Sequence, residues 1–102
     1  YNNILVKRVI AEAGDWVDMD DKGNVYVNNK RLEEPYLKEK AYGHTDIAFP
    51  YQVPEDRIFV MGDNREVSID SRNTSIGTVS EEQIVGKLVL KVWPLKEISW
   101  ID

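Results

Sequence analysis

The sequence predicts an all-β fold of mainly antiparallel strands and hairpins. Short runs rich in β-branched residues recur along the chain, and turn sequences with Gly, Asn or Asp separate them. The 102 residues, 42% of them hydrophobic, suffice for one core, and no linker divides them. We therefore expect residues 1–102 to form a single domain.

The first third of the chain predicts a meander of hairpins. Four strands are expected there, at residues 4–11, 16–19, 25–27 and 30–32. Turn-forming residues separate them: Gly14-Asp15, Asp20–Asn24 and Asn28-Asn29.

The rest of the chain is less regular. Residues 33–54 hold three prolines and a charge cluster, which predicts a long excursion with one short edge strand near residues 47–49. Arg57–Met61 is a clear apolar strand, and residues 84–93 alternate toward a last one. A capping box predicts at most one short helical turn near Ser80–Ile84.

Composition excludes several classes of function. The net charge of −5 argues against nucleic-acid binding, which needs clustered Lys and Arg. Without cysteine there is no disulfide, thiolate catalysis or zinc–thiolate site, and a single histidine excludes a multi-histidine metal site. We expect no cofactor and no metal. Uncharged stretches reach only eight residues, whereas a spanning helix needs roughly 20 apolar residues.

The densest polar group lies in the Gly62 loop (residues 62–72), directly after the apolar strand. Three acids, two arginines, one asparagine and two serines occupy these eleven residues. Charges packed so densely are either solvated or paired with one another. Asp63-Asn64 can hold a turn, and Asp70 can pair with Arg72. The residues alone leave open an exposed polar loop and a functional site.

Lys7 lies inside the first strand beside Arg8, so alternation turns one of the two inward. The ordinary explanation is an edge-strand lysine that prevents aggregation. The alternative is a buried lysine acting as a general base, because burial can lower its pKa by several units. A shift of about 3 units costs roughly 4 kcal/mol, so it would persist only for function.

Other polar residues are weaker candidates. Asp18–Gly23 begins like a calcium loop but lacks acids at later ligand positions. His44 could join a Ser-His-Asp triad only with a distant serine, so a surface histidine is favoured. The acidic pairs Glu33-Glu34 and Glu55-Asp56 predict solvated surface charge.

The Gly62 loop resembles the last signature block of bacterial type I signal peptidases, which reads GDNR, two variable residues, S, one variable residue and DSR. Every fixed position matches here. Lys7–Ile10 followed by Gly14-Asp15 resembles the lysine block of that family, although Ala11–Ala13 replaces its usual Gly-Leu-Pro. Three further stretches follow the family's course: Glu34–Tyr36, Val53–Glu55 and Ile84–Lys87. The short excursion resembles the compact members from Gram-positive bacteria.

The resemblance implies a serine endopeptidase that uses a Ser/Lys dyad to remove signal peptides from secreted preproteins. It also implies the outer face of the bacterial cytoplasmic membrane, with an N-terminal membrane anchor. Lys7 would be the general base, and Ser68 would orient its amine. Five further residues would support the site structurally: Arg8, Asp63, Asn64, Asp70 and Arg72.

The family's nucleophilic serine lies upstream of the lysine block, where this sequence has none. The chain starts without Met and enters an apolar run at Ile4, so we interpret it as the C-terminal part of the extracytoplasmic catalytic domain, without anchor and serine block. We expect this fragment to be inactive alone. A truncated β-domain exposes unpaired edges, so a strand-swapped dimer is also expected.

Three alternatives stay open. The first is a non-catalytic signal-peptidase-like factor that assists surface-protein or pilus assembly; Ala11–Ala13 favours it weakly, and the retained Lys7 argues against it. The second is a self-cleaving repressor-type Ser/Lys protease, which the Gly62 loop does not support. The third is a β-domain without catalytic function.

Overall fold

A computed structural model describes residues 5–74, 76–80 and 88–91. The predicted all-β class is confirmed, since this part of the chain contains strands and no helix. The strands are β1 (Leu5–Glu12), β2 (Trp16–Met19), β3 (Val25–Val27), β4 (Lys30–Arg31), β5 (Tyr51–Gln52), β6 (Arg57–Met61), β7 (Val79–Ser80) and β8 (Leu88–Lys91).

The strands form two four-stranded sheets, ordered β7-β6-β1-β8 and β4-β3-β2-β5. β1 is an inner strand that pairs antiparallel with β6 and parallel with β8. Arg8 lies opposite Met61, and the register shifts between Val9 and Ala11, a β-bulge. This pairing places the lysine strand beside the strand that leads into the Gly62 loop.

The second sheet contains three of the four strands of the predicted meander, β2, β3 and β4; the prediction was wrong for the first strand, β1, which pairs in the other sheet. The turn between β3 and β4 consists of Asn28 and Asn29, whose φ angles are 51° and 68°. Two left-handed residues match the right-handed twist of a two-residue hairpin, and asparagine tolerates that conformation. The turn predicted from the sequence is confirmed.

The excursion is largely irregular, as predicted, but the position of its strand was wrong. The edge strand is β5, not residues 47–49, and it pairs with β2. Pro50 has no N–H for a ladder, so pairing begins after it. Ile47 and Phe49 instead pack, half-buried, against the core.

The core joins residues of both sheets. Its buried members are Ile10, Ala11, Val17, Met19, Val25, Val53, Phe59 and Met61. Because β1 and β6 both contribute to it, apolar packing backs the two strands that carry the candidate site.

Some predictions fall beyond the described residues. The helical turn near Ser80–Ile84 does so except for Ser80, which ends β7, and the last predicted strand is described only over β8. The single domain and the swapped dimer stay predictions. Within the described ranges, no helix has the length and apolar character needed to cross a membrane.

Candidate active site

Lys7 occupies an inner strand and reaches the Gly62 loop. Its side chain is 9% exposed, and Nζ donates a hydrogen bond to Oγ of Ser68 at 3.0 Å. The edge-strand explanation is therefore wrong, because β1 has a neighbour on each side. Burial lowers the pKa of Lys7 below 10.5; the negative charge of Asp70 opposes that shift, and the positive charge of Arg72 adds to it.

Arg8 is also buried, so both neighbouring basic residues are removed from solvent. Its Nε and Nη2 donate to the two carboxylate oxygens of Asp63 at 2.9 and 2.8 Å. The guanidinium lies 3.5 Å above the centre of the Tyr36 ring. The hydrogen bond to Asp63 raises the pKa of Arg8. These contacts tie the lysine strand to the start of the Gly62 loop.

The second half of the Gly62 loop is folded around the ion pair of Asp70 and Arg72. Both side chains are fully buried, and Arg72 donates to the two Asp70 oxygens at 2.8 and 2.9 Å. The N–H of Gly62 donates to the same carboxylate at 2.9 Å. Burial alone would raise the pKa of Asp70, but the bonds and charge of Arg72, with the N–H of Gly62, lower it.

Arg72 also fixes the main chain around Ser68. Its guanidinium donates to the carbonyls of Tyr42, Arg65 and Ser68 at 2.8, 2.9 and 3.3 Å. Asn64 is an exposed residue, but its main-chain carbonyl accepts a hydrogen bond from the N–H of Ser68 at 2.9 Å. The loop is therefore an internally paired structure, and the exposed-loop alternative fails where the arginines are buried.

One buried pair was missed by the sequence reasoning. Arg65 donates to both oxygens of Glu34 at 3.1 and 2.6 Å, and both side chains are 0% exposed. The hydroxyl of Tyr36 donates to Glu34 at 2.6 Å; burial, then this bond, raises the pKa of Tyr36. The prediction of a solvated acidic pair was wrong for Glu34, whereas Glu33 is exposed. The family-like stretch Glu34–Tyr36 was the available signal.

The remaining candidates lie outside this cluster. His44 is exposed. Asp20, in the loop that begins like a calcium site, accepts hydrogen bonds from Asn24, Lys22 and Tyr26. The bond from the Asn24 side chain contributes most to lowering the pKa of Asp20 to about 2. Among the described residues, no group of three or more His, Cys, Asp or Glu could hold a metal ion.

Gly62 leaves the space in which Lys7 and Ser68 meet. A Cβ built on Gly62 would overlap Ser68 and lie 3.5 Å from Nζ of Lys7. If the site has the peptidase activity that the resemblance implies, we expect Gly62→Ala to push Ser68 off the amine and to lower kcat about tenfold, since small misplacements are costly at a reacting centre. Kinetics of preprotein cleavage, by a polypeptide that joins this chain to an upstream serine, would measure this.

Gly14→Ala is the control for steric overlap, because a Cβ at Gly14 meets nothing within 4 Å; its φ of 86° adds a backbone strain that Gly62→Ala does not have. Unfolding curves should accompany the kinetics, to separate lost activity from lost fold. Equal kcat in Gly62→Ala and the parent would mean that the contact of Lys7 with Ser68 does not matter for turnover.

Known proteins match this chain in sequence and in structure. The family model described as "Signal peptidase, peptidase S26" matches residues 1–93. The chain belongs to the signal peptidase family. A signal peptidase I of Bacillus amyloliquefaciens is 41% identical over 104 residues, covering 95% of this chain and 55% of that protein.

A plant protein and a solved bacterial structure match the chain as well. Thylakoidal processing peptidase 1 of Arabidopsis thaliana is 38% identical over 98 residues, covering 96% of this chain and 27% of that protein. The crystal structure of a signal peptidase I from Enterococcus faecalis is 32% identical with a TM-score of 0.62, covering 81% of this chain and 80% of that one. This signal peptidase family member spans about half the length of the bacterial curated relatives it matches.

Proposed function

We propose that this chain forms the lysine-bearing part of a signal peptidase I, a serine endopeptidase that removes signal peptides from secreted preproteins. The observation that carries the proposal is the buried Lys7 amine, 3.0 Å from Ser68 and with a lowered pKa. Lowering the pKa of a lysine increases the neutral fraction that can accept a proton, whereas an ordinary surface lysine is almost fully protonated near neutral pH.

In the proposed mechanism, the neutral amine of Lys7 accepts the proton of a nucleophilic serine as its oxygen attacks the scissile carbonyl. The amine then donates that proton to the leaving nitrogen, and the peptide bond breaks. Lys7 next takes a proton from a water molecule whose oxygen attacks the acyl carbon, and it returns that proton to the serine oxygen as the ester bond breaks. Ser68 accepts one N–H of the amine, so that the lone pair of Lys7 is aimed at the nucleophile.

Several parts of the proposal lie beyond the described site. The nucleophile is a serine outside these 102 residues, so the chain alone does not cleave. The enzyme works at the outer face of a bacterial cytoplasmic membrane, held by an N-terminal anchor. Arg8, Asp63, Asn64, Asp70 and Arg72 hold the Gly62 loop, as their ion pairs and main-chain bonds support.

Cleavage should depend on pH through Lys7. Because the base must be neutral, we expect kcat to rise with pH and to be half-maximal at the pKa of Lys7, below 10.5. Activity is therefore lost as the pH falls through that pKa. Initial rates of preprotein cleavage, by the polypeptide with its upstream serine, give the pH at which kcat is half-maximal. An NMR titration of the Lys7 side chain gives its pKa, and the two values should agree.

A His44→Ala variant serves as control, because it removes the single histidine of the sequence. If kcat of that variant depends on pH as in the parent, the inflection does not come from His44. The proposal fails if preprotein is cleaved at a rate independent of pH, or with an inflection away from the measured Lys7 pKa. If preprotein is bound but never cleaved, the non-catalytic assembly factor is the better explanation.

A further inference from the structure

Residues 34–46, here the bracing segment, belong to the excursion between β4 and β5 of the second sheet. They leave that sheet and run against the Gly62 loop, which follows a strand of the first sheet. The contacts between them are polar and buried or partly buried, and they involve the two arginines that shape the loop.

The first contact is made by Glu34. Its carboxylate accepts hydrogen bonds from Nη1 and Nη2 of Arg65, and Nε of the same arginine donates to the carbonyl of Gly62 at 2.8 Å. Arg65 is therefore fixed between the bracing segment and the first residue of the Gly62 loop. Because the ion pair of Glu34 and Arg65 and the carbonyl of Gly62 are excluded from water, these groups cannot exchange one another for solvent partners.

The second contact is made at Gly43. Nη1 of Arg72 donates to the carbonyl of Tyr42 at 2.8 Å, and Nη2 donates to the carbonyl of Ser68 at 3.3 Å. One guanidinium thus connects the bracing segment to the residue that holds the Lys7 amine. Gly43 has a φ of 70°, and a Cβ there would overlap both Nη1 of Arg72 and the carbonyl oxygen of Arg65. Only glycine permits this approach.

The contact continues along the chain. Oγ1 of Thr45 donates to the carbonyl of Arg72 at 2.7 Å, and the N–H of Asp46 donates to the same oxygen at 3.1 Å. The carboxylate of Asp46 accepts the N–H and hydroxyl of Thr74, both at 2.8 Å. Arg72 is therefore held by its main chain as well as by its side chain.

We propose that the bracing segment positions Ser68 against Lys7, and that Gly43 is the positioning residue on which this depends. The inference rests on the proposed function and deepens it, since it assigns part of the catalytic geometry to a segment of another sheet. Gly43 touches no reacting atom and acts through Arg72. Its substitution should therefore change turnover and the environment of the Lys7 amine while the fold persists.

The test compares Gly43→Ala with two further variants. Thr45→Val removes the hydroxyl bond to Arg72 at nearly constant shape, and it remains informative if Gly43→Ala does not fold. Gly14→Ala is the matched control, because Gly14 also has a positive φ of 86° but would place its Cβ in open space. Unfolding curves identify the variants that keep the parent fold.

Two readouts separate positioning from stability. One is the pKa of Lys7, followed by NMR in this chain; the described charges that act on it are Asp70 and Arg72. The other is kcat against KM for preprotein cleavage, in the polypeptide that supplies the upstream serine. In Gly43→Ala we expect the pKa to rise toward 10.5 as the loop moves and water reaches the amine, and kcat to fall about tenfold at similar KM. Thr45→Val should shift both readouts less, and Gly14→Ala neither.

Each result decides the matter. The expected shifts support the bracing segment. A folded Gly43→Ala or Thr45→Val with the parent's Lys7 pKa and kcat overturns it, and leaves the proposed function intact if the parent shows a lowered pKa and cleaves. A parent whose Lys7 titrates near 10.5 overturns both proposals together.

Discussion

Replacement of Lys7 by alanine is expected to lower the rate of preprotein cleavage at least about 100-fold, the range that a positioned general base contributes. The reason is chemical, because no other amine is placed at Ser68 among the described residues. The experiment uses a polypeptide that joins this chain to the proposed upstream serine, and follows the shortening of a preprotein over time.

A lysine without the proposed role provides the control for Lys7→Ala. Lys22 is exposed in the loop between β2 and β3, so Lys22→Ala should cleave like the parent. Lys7→Met keeps most of the side-chain volume without the amine, and it should be as inactive as the alanine variant. Cleavage by Lys7→Met at the parent's rate would show that Lys7 fills space and is not the base.

The largest effect on stability is expected at Arg72. Arg72→Ala leaves the Asp70 carboxylate buried without its cation, and it leaves three carbonyls without their donor. Breaking a buried ion pair from one side costs about 3–5 kcal/mol. We expect the free energy of unfolding to fall by that amount, measured by urea denaturation of the chain.

Arg31 offers a matched control for this second prediction. Arg31→Ala removes an exposed guanidinium that lies 4.0 Å from Glu33, and such surface pairs contribute about 0–1 kcal/mol. If Arg72→Ala lowers the free energy of unfolding by less than about 1 kcal/mol, the structural role proposed for the Asp70 pair is refuted, because leaving a buried carboxylate unpaired costs more than that.

Much of the fold could be predicted because its signals are local. β-branched runs and the Asn28-Asn29 turn depend on the residues themselves and their neighbours. The pair of Asp70 and Arg72 spans two positions, so it too could be expected from the sequence. The position of β5 could not, since residues 47–49 are apolar and their packing against the core, rather than pairing, is decided by distant residues.

The candidate site was only partly accessible for the same reason. Lys7 and Ser68 were connected through resemblance, since 61 positions separate them. The pair of Glu34 and Arg65 spans 31 positions and has no periodic signal, so an acidic dipeptide looked like surface charge. Burial of Arg8 beside Lys7 was also unexpected. Alternation along a strand predicts that only one of two neighbours is buried, and it takes no account of Asp63 and Tyr36, which the tertiary fold brings onto Arg8.

The pairing of β1 with β6 has a consequence for length variation among related proteins. Since Arg8 lies opposite Met61, the residue before Gly62, the ladder sets how far the amine stands from its loop. One residue inserted into β1 or β6 near this pair would turn the side chains that follow it to the opposite face of the sheet. The turn between β3 and β4, at Asn28 and Asn29, lies outside this pairing and outside the bracing segment. Insertions and deletions should therefore accumulate there over evolutionary time, while these two strands keep their residue count.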